Sequence, residues 1–182
     1  GRSIWNDFTI TLRQGNVVLW LIAINLGIFI LQAFVGIIGF LFMANRAVFE
    51  IFYQNYFYAP SSLSNLLYRP WTVLTYAFFH AEFWHILFNL LYLYWFGRIF
   101  QVYHSEKRLL NLYLLGALVG SAFYILSYNT FPVFEQAKHQ AYLLGASGAV
   151  WSIIAAAMAT NPAYRIRLFI IGSVPLLSLI HI

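Results

Sequence analysis

Positions 17 to 42, Val17 to Phe42, form a mostly apolar run with no charged residue. A helix of that length crosses a ~30 Å hydrocarbon core with room to tilt. From Met43 to Phe79 the pattern breaks into short amphipathic pieces rich in Tyr and Phe, sparsely charged at Arg46, Glu50 and Arg69, with turn signals at Pro60-Ser61-Ser62 and Pro70. Such aromatic stretches suit the headgroup region, so short helices lying on the bilayer are expected there.

Three more apolar helices follow. The pattern predicts a second from about Phe83 to Phe100, ending near Gly97-Arg98, and a third from about Leu109 to Tyr128 that carries Gly116-x-x-x-Gly120. Gly-x-x-x-Gly permits close helix approach without naming the partner. Asn129 to Leu144 is a polar loop, Ser147 to Thr160 a fourth helix stopped by Asn161-Pro162, and Leu168 to Ile182 the beginning of a fifth. Gly1 to Asn16 is a polar lead that does not have the form of a signal peptide.

Composition agrees with the pattern. With 62% hydrophobic and 8% charged residues and a mean hydropathy of +0.75, a soluble globule of 182 residues could not cover its own surface. The class is an all-α polytopic membrane protein. A net charge of +5 could suggest nucleic acid, but the basic residues are scattered and form no stripe, so no nucleic-acid partner is expected. They report topology instead. Arg2, Arg13, Arg98, Lys107, Arg108, Arg165 and Arg167 fall on one side, against Arg46, Arg69 and Lys138 on the other. Positive-inside counting puts the N-terminus in the cytoplasm.

Polar residues inside such helices need a reason. His85 and Asn89, four apart, share one helix face. They could be interhelical hydrogen-bond glue, or preorganised donors for a developing oxyanion. Gly145-Ala146-Ser147-Gly148 opens the fourth helix, whose 14 residues rise only ~21 Å. Its start would therefore lie below the membrane surface, where unpaired N–H groups are tolerable only beside a polar cavity. Those N–H groups and the helix dipole would favour an oxyanion beside Ser147. Small-residue packing, supported by Ala146, Ala149 and Ala155 to Ala157, explains the same stretch without chemistry.

Other chemistries fit less well. Position 149 is Ala, so the second glycine of Gly-x-Ser-x-Gly is missing, and no strand-helix alternation supports a hydrolase elbow. His80 and His85 lie about 140° apart around a helix, which makes them poor joint metal ligands. Glu82-x-x-His85 has di-iron spacing but occurs once. No metal and no cofactor are expected, and with no cysteine thiolate chemistry is unavailable.

Taken together, Arg69-Pro-Trp-Thr, Phe79-His80, His85-Ile-Leu-Phe-Asn89-Leu-Leu, Phe96-Gly97 and Gly145-Ala-Ser147-Gly148 resemble the rhomboid family of intramembrane serine proteases. The resemblance implies a six-helix core and cleavage of transmembrane segments of other proteins within the lipid bilayer. It implies Ser147 as nucleophile, an oxyanion hole from the Ser147 N–H, His85 and Asn89, and His80 ordering loop and cavity. Gly145 and Gly148 would leave room for a substrate backbone. The expected organisation is a cytoplasmic lead over 1–16 and an incomplete membrane domain over 17–182, multi-pass, in a bacterial inner membrane.

One departure concerns the general base, which a serine nucleophile needs. The family supplies it as a histidine on a sixth helix in a Gly-x-x-x-Ala-His-x-x-Gly setting, and that motif is absent from these 182 residues. The 182-residue form is therefore expected to be inactive, with five of six core helices. His181 has a favourable depth but no neighbouring glycines for close approach, and is not expected to be the base. The alternatives are a catalytically inactive relative that binds transmembrane segments, or a small transporter. Retention of Ser147 with His85 and Asn89 favours the enzyme.

Overall fold

The computed structural model describes residues 16–43, 45–160, 165–168 and 172–175. The lead over 1–15 and His181 lie outside the described residues. Among the described residues seven helices run in order: α1 (Val17–Leu41), α2 (Arg46–Tyr56), α3 (Leu63–Tyr68), α4 (Thr72–Thr75), α5 (Phe83–Tyr103), α6 (Glu106–Thr130) and α7 (Ser147–Thr160). A 3-10 turn, Tyr76–Phe78, follows α4, and another, Pro132–Phe134, follows α6. Among the described residues, α1 and α6 are long and apolar enough to cross a membrane, while α7 is a shorter apolar helix. The 21 residues of α5 give a length that would suffice, but Trp84, His85, Asn89, Tyr92, Tyr94, Trp95 and Arg98 interrupt its apolar sequence.

The core is where α7 meets α5 and α6. Val150, Ile153 and Ala157 of α7 are buried in one cluster with Leu93 and Phe96 of α5, Tyr113 and Ala117 of α6, and Val18 and Leu21 of α1. The partner of the Gly-x-x-x-Gly face is α7. A Cβ on Gly116 would lie 2.3 Å from Ser152 Oγ and 3.0 Å from Ala149 Cα, and one on Gly120 would lie 3.5 Å from Gly148 Cα. Small residues on both helices let the two backbones approach.

Two helix ends differ from the sequence expectation. The second helix continues through Gly97 to Tyr103, because that glycine serves close approach: a Cβ there would lie 2.7 Å from Val18 Cγ2. The third begins at Glu106, after Ser105 in the N-cap position. The Glu106 carboxylate also accepts from the Val17 N–H, so an acidic side chain sits at the positive end of α1. Asn16 completes that end through Oδ1, which accepts from Leu19 N at 3.3 Å.

The expected fifth transmembrane helix from Leu168 is not formed in the described residues. Instead β3 (Arg165–Leu168) pairs antiparallel with β4 (Gly172–Pro175), Arg165 opposite Pro175 and Leu168 opposite Gly172. Gly172 and Pro175 are poor helix formers, and Pro175 would clash with the carbonyl four residues before it.

The segment between α1 and α5 is held by the Arg69-Pro-Trp-Thr stretch. Arg69 donates to the Asn55 carbonyl at 2.6 Å and its Oδ1 at 3.0 Å, and Trp71 Nε1 donates to the Tyr56 carbonyl at 2.9 Å. A guanidinium thus covers the carbonyl end of α2, where both its charge and its donors are favourable. Further along, β1 (Ala59–Pro60) pairs antiparallel with β2 (Tyr142–Leu143), Ala59 opposite Leu143. Ser61 Oγ donates to the Lys138 carbonyl at 2.6 Å. This pairing ties the loop before α7 to the segment after α2, so the approach to Ser147 is anchored.

Candidate active site

Ser147 is the first residue of α7 and is half-buried. The turn before it depends on Gly145, whose φ of +113° is a conformation L side chains rarely adopt. Its amide donates to the Tyr76 carbonyl at 3.0 Å, and the Tyr76 hydroxyl donates to the Ala117 carbonyl at 2.8 Å. The same hydroxyl touches α7, since a Cβ on Gly148 would lie 3.4 Å from it. Tyr76 therefore fixes both the turn and the helix that follows. Its importance was not legible in the sequence, where it is one aromatic among many.

Two histidines converge on this turn. The Ala146 amide donates to His80 Nε2 at 3.3 Å, which requires a lone pair there, so the neutral ring carries its proton on Nδ1. His80 lies in the connection before α5 and is 2% exposed. Burial, and then the neighbouring His85, push its pKa down to about 4, against a smaller contrary influence of the Phe78 backbone. That backbone contact does not amount to a hydrogen bond, and Nδ1 has no hydrogen-bond partner within the protein. The His85 ring stands edge-on to His80, with centroids 4.9 Å apart, and lies over Gly145: a Cβ at that position would be 2.5 Å from His85 Nε2.

Asn89 lies one turn along α5, buried at 7% exposure. Its Nδ2 donates to the His85 carbonyl at 2.9 Å, which occupies one of the two amide protons and leaves the other. The structure thus brings His80, His85, Gly145 and Ser147 into one neighbourhood, with Asn89 behind His85 on the same helix. The side of Gly148 where a Cβ would stand faces Gly116 and Gly120, so this glycine serves helix packing. Along α7, Trp151, Ala155 and Ala159 continue from Ser147 at four-residue spacing and are exposed among the described residues. Among the described residues, no three His, Asp or Glu side chains are grouped to hold a metal.

The family model for the Rhomboid domain matches residues 68–182. The chain belongs to the rhomboid family. It is 32% identical over 162 residues to RHOMBOID-like protein 12, mitochondrial, of Arabidopsis thaliana, covering 84% of this chain and 44% of that protein. It is 31% identical over 94 residues to Rhomboid protein 1, mitochondrial, of Saccharomyces cerevisiae, covering 52% of this chain and 26% of that protein. The rhomboid chain thus spans less than half the length of these curated relatives. No solved structure matches. Family membership and the apolar helices α1 and α6 make this rhomboid a membrane-embedded, mostly helical protein.

Proposed function

We propose that this rhomboid is an intramembrane serine endopeptidase that cleaves transmembrane segments of membrane proteins. The observation that carries the reading is the contact of His85 and His80 with the positive-φ turn at Gly145 that opens α7 at Ser147. Ser147 Oγ attacks the scissile carbonyl while its proton passes to a general base. The oxyanion accepts from the Ser147 N–H, His85 and the free amide proton of Asn89. Collapse breaks the C–N bond, the amine leaves with the proton from the base, and water hydrolyses the acyl ester to free the serine.

The base is proposed to be a histidine brought to the α7 face that Ser147, Ala155 and Ala159 share with Trp151 and that is uncovered among the described residues, where Ala155 and Ala159 permit close approach beside the larger Trp151. That placement follows the family resemblance, in which a sixth helix carries it. The organisation is proposed as a cytoplasmic lead over 1–16 and a membrane domain over 17–182. The relatives' names are mitochondrial and lend no support to a bacterial inner membrane.

The alternative is a catalytically inactive rhomboid that binds transmembrane segments. A transmembrane reporter incubated with a form carrying the sixth helix decides between them. Cleavage that disappears in Ser147→Ala supports the protease, and binding without cleavage supports the alternative.

A further inference from the structure

A buried polar chain runs from α1 through α6 to the segment that carries His80. Asn25 of α1 and Tyr113 of α6 are both 0% exposed. Both amide protons of Asn25 are used: Nδ2 donates to the Leu21 carbonyl at 2.8 Å and to the Tyr113 hydroxyl at 3.2 Å. Because that hydroxyl accepts from Asn25, its own proton is directed to the Ala77 carbonyl, 3.1 Å away. The Tyr113 ring also packs on Phe78, with centroids 5.7 Å apart.

What Tyr113 holds is the stretch that grips the turn before Ser147. The Tyr76 carbonyl accepts from the Gly145 amide at 3.0 Å, and His80 Nε2 accepts from the Ala146 amide at 3.3 Å. Residues 76 and 80 thus meet consecutive residues of the turn, and Ala77 lies between the two contacts. On the other side α6 is tied to this stretch by the Tyr76 hydroxyl, which donates to the Ala117 carbonyl, and by Ser121 Oγ, which donates to the Val73 carbonyl at 3.2 Å. The tie at Ala77 extends to α1 through Asn25.

The Asn25 amide is costly where it stands. Its Oδ1 is buried with no hydrogen-bond partner within the protein, and an acceptor left unpaired in an apolar interior cancels much of what the donors of the same amide contribute. A leucine is close in shape and would leave no such group. Stability gives little reason for an asparagine here, whereas orienting the Tyr113 hydroxyl gives one.

We propose that Asn25 and Tyr113 are positioning residues of the active site: Asn25 aims the Tyr113 hydroxyl at Ala77, and Tyr113 thereby holds residues 76–80 where they set Gly145, Ala146 and the start of α7. The effect on turnover rests on the protease reading. The placement of the turn does not.

Asn25→Leu, Tyr113→Phe and the double variant test this in a form carrying the sixth helix. Each single change should lower kcat about tenfold and change KM by less than about twofold, since misplacing reacting groups slows the chemical step more than it weakens binding. Asn25→Leu should do so at an unchanged Tm, because it removes the unpaired oxygen together with the donors. Since Asn25 acts through Tyr113, the double variant should be no slower than Tyr113→Phe. Thr160→Val, which removes the 3.0 Å contact with His104 at the far end of α7, should keep its rate. Losses that multiply in the double variant overturn the proposal, as does an unchanged kcat in Asn25→Leu or an equal loss in Thr160→Val. A fall in Tm that tracks the loss of rate makes the pair structural and overturns it too. If the unaltered form does not cleave, the protease reading fails, and amide hydrogen exchange decides the positioning by itself. Residues 76–80 and 144–147 should then exchange about tenfold faster in Asn25→Leu and in Tyr113→Phe than in the unaltered chain, and equal exchange overturns the proposal.

Discussion

Gly145 and His85 occupy adjoining space so closely that a single carbon added to the glycine would lie 2.5 Å from the imidazole Nε2. The glycine is required twice over, by its φ of +113° and by the ring above it. Gly145→Ala should therefore lower stability by about 1 to 3 kcal/mol through backbone strain and also displace His85. Gly27→Ala, where a Cβ meets nothing within 4 Å, serves as the control. Thermal unfolding of both variants in the same detergent checks this. Equal stability would show that the turn relaxes freely.

Ser147→Ala removes one oxygen from a half-buried position and should abolish cleavage of a transmembrane reporter with almost no change in thermal stability. A fluorophosphonate probe should label Ser147 and no other serine. Persistent cleavage by the variant would end the serine mechanism.

His85→Ala and Asn89→Ala should each slow turnover by ~10² to 10³ while changing substrate binding less, the usual effect of losing one oxyanion donor. If both variants instead lose stability yet keep normal kcat when folded, the pair is interhelical glue.

The Gly116 contact with α7 is a packing test independent of catalysis. Gly116→Ala pushes a Cβ to 2.3 Å from Ser152 Oγ and should destabilise by about 1 to 3 kcal/mol through overpacking. Adding Ser152→Ala should restore only part of this, because the Cβ of residue 152 at 2.7 Å and Ala149 Cα at 3.0 Å both remain. Full restoration in the double variant would refute the close backbone approach.

His80 gives a pH dependence with a definite sign. Its pKa in the folded protein, about 4 against an ordinary 6.5, is depressed by burial. The unfolded chain therefore binds more protons between these values, and stability rises with pH there. The contribution is complete above pH 6.5 and is lost as pH falls toward 4. His80→Gln should flatten that part of the stability profile, which unfolding curves at stepped pH will show.

Much of this rhomboid was legible along the chain because the bilayer imposes simple rules. Charge-free length marked α1, and the Gly-Ala-Ser-Gly start with the Asn-Pro stop marked α7 at Ser147–Thr160. Four-residue spacing put His85 and Asn89 on one face. Each of these signals is local, fixed by backbone hydrogen bonding or helix periodicity within a few residues.

Other features depended on which surfaces meet. Gly97 reads as a helix end until Val18 is seen packed on it, and the Gly116-x-x-x-Gly120 face has no partner until α7 supplies one. Arg69 became a cover for the carbonyls of α2, and Tyr76 the tie between turn and core, through contacts that sequence spacing does not encode. The expected fifth helix gave way to a β3–β4 pairing, since apolar content marks burial or lipid without choosing between helix and strand. Sequence alone determined which residues are the candidates for the chemistry and where α1 and α7 run. The tertiary structure decided that His80 and His85 meet the Gly145 turn, because that meeting needs a glycine with positive φ and helices whose small faces let them close on one another.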